Sequence, residues 1–370
     1  KELAENVLTK RWKGKMFEAC QNGETKVVRL LLERCNFEES GLNTRDRKGW
    51  TAFMWACCNG HKDVVKLLLD HLERIELNAR ANEGFTDMDN GMTALMIACF
   101  KGHKDVVQLL LENSNIDLNK GDNLGDTAFI CACKKGHKDV VKLLLDHSER
   151  IELNARSNNG NGVTAFMLAC RNGHEDVIKL LLDHSERIDP NARTNIGVTA
   201  FMLACLRERK DVVQLLLDNS ERIELNSRDI FGRTAFMIAC QWGCTDVVKL
   251  LLLDHSDRIK LNARNNKSQT AFMIACLEGY KDIVKFFLDN SERIELNARS
   301  NNGNTAFMWA CQNGRRDVVK LLSEAEIVDT EEVTNDHNNE DSTNDTNDSP
   351  TEAFTEDRGW CACGKHLLMK

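Results

Sequence analysis

The sequence predicts an all-α repeat solenoid, in which helix-turn-helix units stack side by side and β-hairpin-like loops join each unit to the next. Three observations carry this. Near-copies of Thr51-Ala-Phe-Met-Trp-Ala-Cys57 return along most of the 370 residues. The cysteines that mark the copies (Cys20, Cys57, Cys99, Cys133, Cys170, Cys205, Cys240, Cys276 and Cys311) are separated by 37, 42, 34, 37, 35, 35, 36 and 35 residues, a spacing in the range of stacked arrays. Each copy is followed by a second apolar run such as Asp63-Val-Val-Lys-Leu-Leu-Leu69, whose broad apolar face a short helix cannot bury without a neighbour.

Taken in order, residues 1–15 form a lead, and Lys1 in the first position reads as a fragment or a processed chain. Nine units fill 16–324. In the unit 42–71, Leu42 to Gly49 is rich in turn formers, and Gly49 supplies a positive φ. Thr51 is the expected N-cap of a short helix reaching Cys57, Asn59-Gly60 closes it, and Asp63 places negative charge at the start of the second helix. The connector Asp146 to Arg156 recurs almost unchanged, with Ile151 and Leu153 expected to anchor the next hairpin between units. Asn82 to Gly91 writes the turn twice and should lengthen one hairpin, and Asn158 to Gly162 is a smaller insertion. Glu208 and Ser268 stand where other copies carry glycine, and Leu250 to Leu253 has one leucine more than its sisters, so stacking is expected to be irregular there.

Charge is divided unevenly. The chain carries a formal net charge of −8, of which residues 326–370, with 12 Asp/Glu against 3 Lys/Arg, contribute −9. The remaining +1 is a balanced surface, which excludes the basic character that sequence-independent nucleic-acid binding needs. No apolar run approaches the roughly 20 residues of a membrane span, so no membrane insertion is expected. Residues 325–370 read as an acidic tail too poor in apolar side chains to fold. Its end, with Cys361, Cys363 and His366, offers three ligand types without a fourth.

This grammar resembles the ankyrin repeat. Gly49-Trp-Thr51, Ala56-Cys57, Gly60-His61 and Val64 to Leu69 carry the likeness, which covers roughly 16–324. The resemblance implies a module that binds partner proteins along a concave face of hairpin tips and first helices. It also makes Asn154 and its equivalents candidates for asparagine hydroxylation. Where the family has Pro-Leu-His, this chain reads Ala-Phe-Met in most copies, as at Ala165-Phe166-Met167. Hairpin and helix are therefore expected to be joined by packing instead of the histidine's hydrogen bond.

Catalytic, cofactor and metal sites are not expected. The nine repeated cysteines read as small core residues in a reducing compartment, and the thiols of Cys131 and Cys133 point about 200° apart on a helix. His61, His103, His137 and His174 recur in one slot and read as scaffold. What remains is the surface. The slots that vary between copies are the two before the turn glycine, the one after it, and the two preceding Gly-His. They hold Ile196, Val198, Leu206, Arg207, Ile230, Phe231, Arg233 and Trp242 in one candidate patch, and Trp50, Met92 and Phe100 in a second. Large apolar and arginine side chains at exposed positions make interface hot spots. Trp55 and Trp309 fill a core slot of the first helix and are expected to pack internally. The expected function is that of a non-enzymatic, monomeric, intracellular scaffold, in the cytoplasm or the nucleus, with a protein partner. The alternative is a regulatory inhibitor or adaptor, acting in transcription-factor retention or ubiquitin-ligase substrate recognition, that uses the array and the acidic tail together.

Overall fold

The computed structural model describes residues 2–34, 42–82, 90–158 and 161–327, with side chains from residue 12 onward. Among them are eighteen α-helices and no strand, arranged as nine antiparallel pairs in chain order. The pairs are α1 (Glu2–Asn22) with α2 (Thr25–Arg34), α3 (Ala52–Cys58) with α4 (Lys62–Leu69), and α5 (Ala94–Lys101) with α6 (Lys104–Leu111). Next come α7 (Ala128–Lys135) with α8 (Lys138–Asp146), α9 (Ala165–Asn172) with α10 (Glu175–Asp183), and α11 (Ala200–Leu206) with α12 (Lys210–Asp218). The last are α13 (Ala235–Trp242) with α14 (Thr245–Leu253), α15 (Ala271–Glu278) with α16 (Lys281–Asp289), and α17 (Ala306–Gln312) with α18 (Arg316–Glu324). Helix α1 runs from the lead into the first unit without a break. The long tail from 328 on, and residues 83–89 and 159–160 of the two enlarged hairpins, lie outside the described residues.

From α3 onward each first helix starts the same way. A threonine in extended conformation accepts from the amide three residues on, as Thr164 Oγ1 does from Met167 N at 3.4 Å and Thr234 Oγ1 from Met237 N at 3.3 Å. In two repeats the methionine reciprocates: Thr51 N donates to Met54 Sδ at 3.5 Å and Thr93 N to Met96 Sδ at 3.3 Å. The expectation of packing alone is thereby corrected there, because the thioether reaches the N-cap amide and closes a sulfur version of the capping box.

Both helices of a pair contribute to one continuous core. Phe53, Leu95, Phe129, Phe166, Phe201, Phe236 and Phe272 lie buried at one position in consecutive repeats, and Phe287 meets Phe236 and Phe272 edge-on at 5.8 and 5.7 Å. Such tilted pairs add roughly 0.5–1.5 kcal/mol beyond burial. Ile151 and Leu153 are buried, as expected of hairpin anchors. At Glu208 and Ser268 the backbone takes the glycine conformation, φ 52° and 57°, and the helix pair continues beyond each. The surplus leucine is shed outward: Leu251 and Leu252 are buried while Leu253 is 51% exposed.

Seams between repeats are polar as well as apolar. Asn154 Nδ2 donates to Arg187 O (2.8 Å) and its Oδ1 accepts from Asp189 N (2.9 Å), so the side-chain amide acts as one more backbone amide. Asn119, Asn191, Asn226 and Asn262 do the same toward Arg150, Arg222, Arg258 and Arg293. Each of these arginines reaches back: Arg222 Nη1 donates to Leu182 O at 2.9 Å and Arg258 Nη1 to Leu217 O at 2.9 Å. Hairpins are tied in the same direction, as by Asn195 N to Asn161 O and Ile230 N to Ile196 O.

Candidate interaction surface

The hairpin tips and the C-terminal ends of the first helices form one side of the array. One polar feature of this side is built on Asp229, a buried carboxylate. Asp229 Oδ1 accepts from Phe231 N (3.0 Å) and Arg233 N (2.8 Å), which holds the hairpin closed. Its Oδ2 receives Arg233 Nε (2.8 Å) and Nη2 (2.7 Å), while Arg233 Nη1 donates to Gln241 Oε1 at 2.7 Å. The guanidinium carbon stands 5.1 Å from the Phe231 ring centroid. An arginine held on three sides has little rotamer freedom left to lose on binding. Beside it, Ile230 is 54% exposed and bonded through its amide to Ile196 O at 3.1 Å. Ile196, Leu206, Arg207 and Trp242 are half-buried, and Leu206 O accepts from Cys244 Sγ at 3.6 Å.

A family model for ankyrin repeats, three copies long, matches residues 15–81, 71–157, 117–194, 151–229, 186–265 and 256–333 in overlapping placements. The chain belongs to the ankyrin repeat family. No curated protein compared with it matches. Ankyrin repeats are in general protein-interaction modules.

Three candidates do not reach that surface. Trp50, Met92 and Val198 are buried, at 2, 1 and 1% exposure. They share the slot between the turn glycine and the N-cap threonine. Its carbonyl closes the hairpin, as Trp50 O does by accepting from Asp46 N at 2.9 Å, and its side chain turns inward beneath the hairpin. Val163, Asp126 and Gln269 fill the slot elsewhere in the ankyrin array and are buried too, while Arg233 and Asn304 in the same slot are half-buried, the Arg233 side chain being 14% exposed. The slot varies because the core accepts several shapes there, and its apolar content in four copies was the available signal of burial. The second patch therefore shrinks to Phe100, half-buried, with Lys135 Nζ 4.2 Å from its ring. Trp50 instead packs on Trp55, centroids 4.7 Å apart, and Trp55 Nε1 donates to Asp46 Oδ2 at 2.9 Å. Trp55 and Trp309 are half-buried, so their packing is partial.

Lys134, Lys135 and Arg171 fill the two slots before Gly-His and were passed over in favour of apolar neighbours. Lys134 Nζ pairs with Asp126 Oδ2 at 3.2 Å. Arg171 is half-buried at the end of α9.

The histidines of the Gly-His slot each bond a carbonyl of the preceding repeat: His61 to Gln21 O, His103 to Cys58 O, His137 to Phe100 O and His174 to Lys134 O, at 2.7–3.0 Å. A carbonyl only accepts, so Nε2 carries the proton in all four. Among the described residues no group of three or more His, Cys, Asp or Glu is placed to hold a metal. The described cysteines are thiols, eleven of them buried and Cys311 exposed. Burial pushes the core thiols up, Cys20 to about 12 and Cys57, Cys133 and Cys205 well above their ordinary value. No described helix is long and apolar enough to cross a membrane.

Proposed function

We propose that this ankyrin array is a non-enzymatic scaffold that holds a partner protein along its concave, hairpin-bearing side. The centre of the contact is Ile196, Leu206, Arg207, Ile230, Phe231, Arg233 and Trp242, with Phe100 at its edge. The observation that carries this reading is Arg233, fixed by Asp229 and Gln241 against Phe231 beside the exposed Ile230. A rigid cation with an aromatic face and an open aliphatic side chain next to it is the composition of a hot spot. The buried thiols fit a reducing compartment inside the cell, and the chain acts as a monomer.

A photo-crosslinking residue in place of Ile230 tests it, with one in place of Leu253, exposed on a second helix, as the control. Capture of a defined protein from Ile230 alone, lost when Phe231→Ala and Trp242→Ala are combined, is the expected result. Equal capture from both positions, or capture that survives the double substitution, overturns it.

A further inference from the structure

The first-helix ends of repeats three to six carry a row of cations: Lys101, Lys134, Lys135, Arg171 and Arg207. Consecutive first helices pack directly on one another, so the row is continuous along the array. Lys135 lies over the Phe100 ring of the repeat before it. Burial, and then the like charge of Arg207 in the next repeat, lower the pKa of Arg171 below the ordinary guanidinium value, against the opposing charge of Asp126 in the repeat before it. Three neighbouring carboxylates offset part of this charge. Asp126 holds Lys134, Asp122 Oδ1 takes the amides of Leu124 and Asp126 at 2.8 Å each, and Glu208 Oε1 accepts from Asp246 N at 3.3 Å. Five cations against these three carboxylates leave the row net positive, and at Lys134, Arg171 and Arg207, which are half-buried, an anion interacts more strongly than in open water, while Lys101 and Lys135 are exposed.

We propose that the acidic stretch 331–357 of this same chain docks along that row, covering the first-helix ends of repeats three to six. This stretch has ten Asp and Glu and no Lys or Arg, so its charge complements the row without internal pairing. Its reach fits. Arg207 and Arg171 belong to the third and fourth repeats before the last, roughly 30 and 40 Å away at about 10 Å per repeat, and Lys134 with Lys135, then Lys101, to the fifth and sixth, roughly 50 and 60 Å away. Glu352 stands 25 positions past Ile327; a flexible chain of that length averages about 28 Å end to end and extends to about 80 Å. When linker length and span are comparable, the effective concentration reaches the millimolar range, and several ion pairs that are weak singly are enough to hold the tail. The docked stretch covers Arg207 and borders Leu206, so it occupies part of the face assigned to the partner.

Zero-length carbodiimide crosslinking of the purified full chain, with no partner present, tests this apart from the scaffold reading. Peptide mapping should place bonds from carboxylates of 331–357 on Lys101, Lys134 and Lys135 at about fivefold or more the yield on Lys142, Lys249 and Lys285, which are exposed on second helices. Salt at about 0.5 M, which shortens the Debye length, should abolish the preference. Arg171→Glu with Arg207→Glu should lower the yields on the three lysines about fivefold, while Arg171→Lys with Arg207→Lys preserves them; thermal melts confirm that both variants fold. Equal yields on the two sides of the array, or a preference unmoved by salt, overturn the proposal.

Discussion

The imidazole of His174 closes over Gly136 of the preceding repeat: Nε2 donates to Lys134 O at 3.0 Å, and a Cβ added to Gly136 would stand 2.4 Å from Nδ1. Gly136 also has φ 77°, which side chains resist. Gly136→Ala should cost about 2–4 kcal/mol in chemical denaturation, from the clash and the backbone together. In a His174→Ala background the clash is absent, and the same change should cost only about 1 kcal/mol. Equal costs in both backgrounds would remove the contact from the account.

Ser268 holds φ 57° at a turn where its sister repeats have glycine. Ser268→Gly should raise stability by about 0.5–1 kcal/mol, because relief of the left-handed strain exceeds the added freedom of the unfolded chain. A midpoint that stays put or falls in urea would show that the turn stores no strain.

Asp122 is buried, and burial, with Asp126 beside it, raises its pKa from 3.8 to about 6. Between those values the folded chain holds the proton and the unfolded chain does not, so the stability Asp122 contributes is greatest below about pH 4 and is lost as pH rises through 6. Asn265 fills the equivalent hairpin place, its Oδ1 accepting from Lys267 N and Gln269 N at 2.9 Å. Asp122→Asn should therefore keep the hairpin and stabilise the array at pH 7 by at most about 3 kcal/mol, with the difference closing toward pH 4. Urea midpoints of parent and variant across pH 4–7 read the slope; parallel curves would contradict the shift.

Cys311 is exposed, whereas its equivalent Cys276 is buried and burial raises its pKa far above the ordinary thiol range. At pH 8 a maleimide should modify Cys311 within minutes and leave Cys57, Cys99, Cys170 and Cys276 untouched until denaturant is added. Mass spectrometry of the peptides decides it, and labelling of Cys276 in the folded chain would mean that the stack opens.

Period and cap chemistry were legible because they repeat: Thr51 and its sisters must cap, and Val64 and Leu68 must be covered. The hairpin slot of Trp50, Met92 and Val198 was misread because variation was equated with exposure, while the slot is closed by its own carbonyl and filled from above. The methionine in the capping box was missed since its sulfur is rarely an acceptor. Lys134 and Arg171 were missed because hot-spot reasoning favours large apolar side chains, and the charge of a row emerges only when successive helix ends are seen side by side.

The asparagine ladder gives the array a freedom of length. Asn119 meets Arg150 through the same atoms by which Asn154 meets Arg187, so cutting out the unit between them sets Asn119 opposite Arg187 with each donor and acceptor matched. The gene behind such a seam can gain or lose a copy by unequal crossing-over and still encode a closed stack. Each such event shifts the hairpins beyond it by one step against whatever they hold.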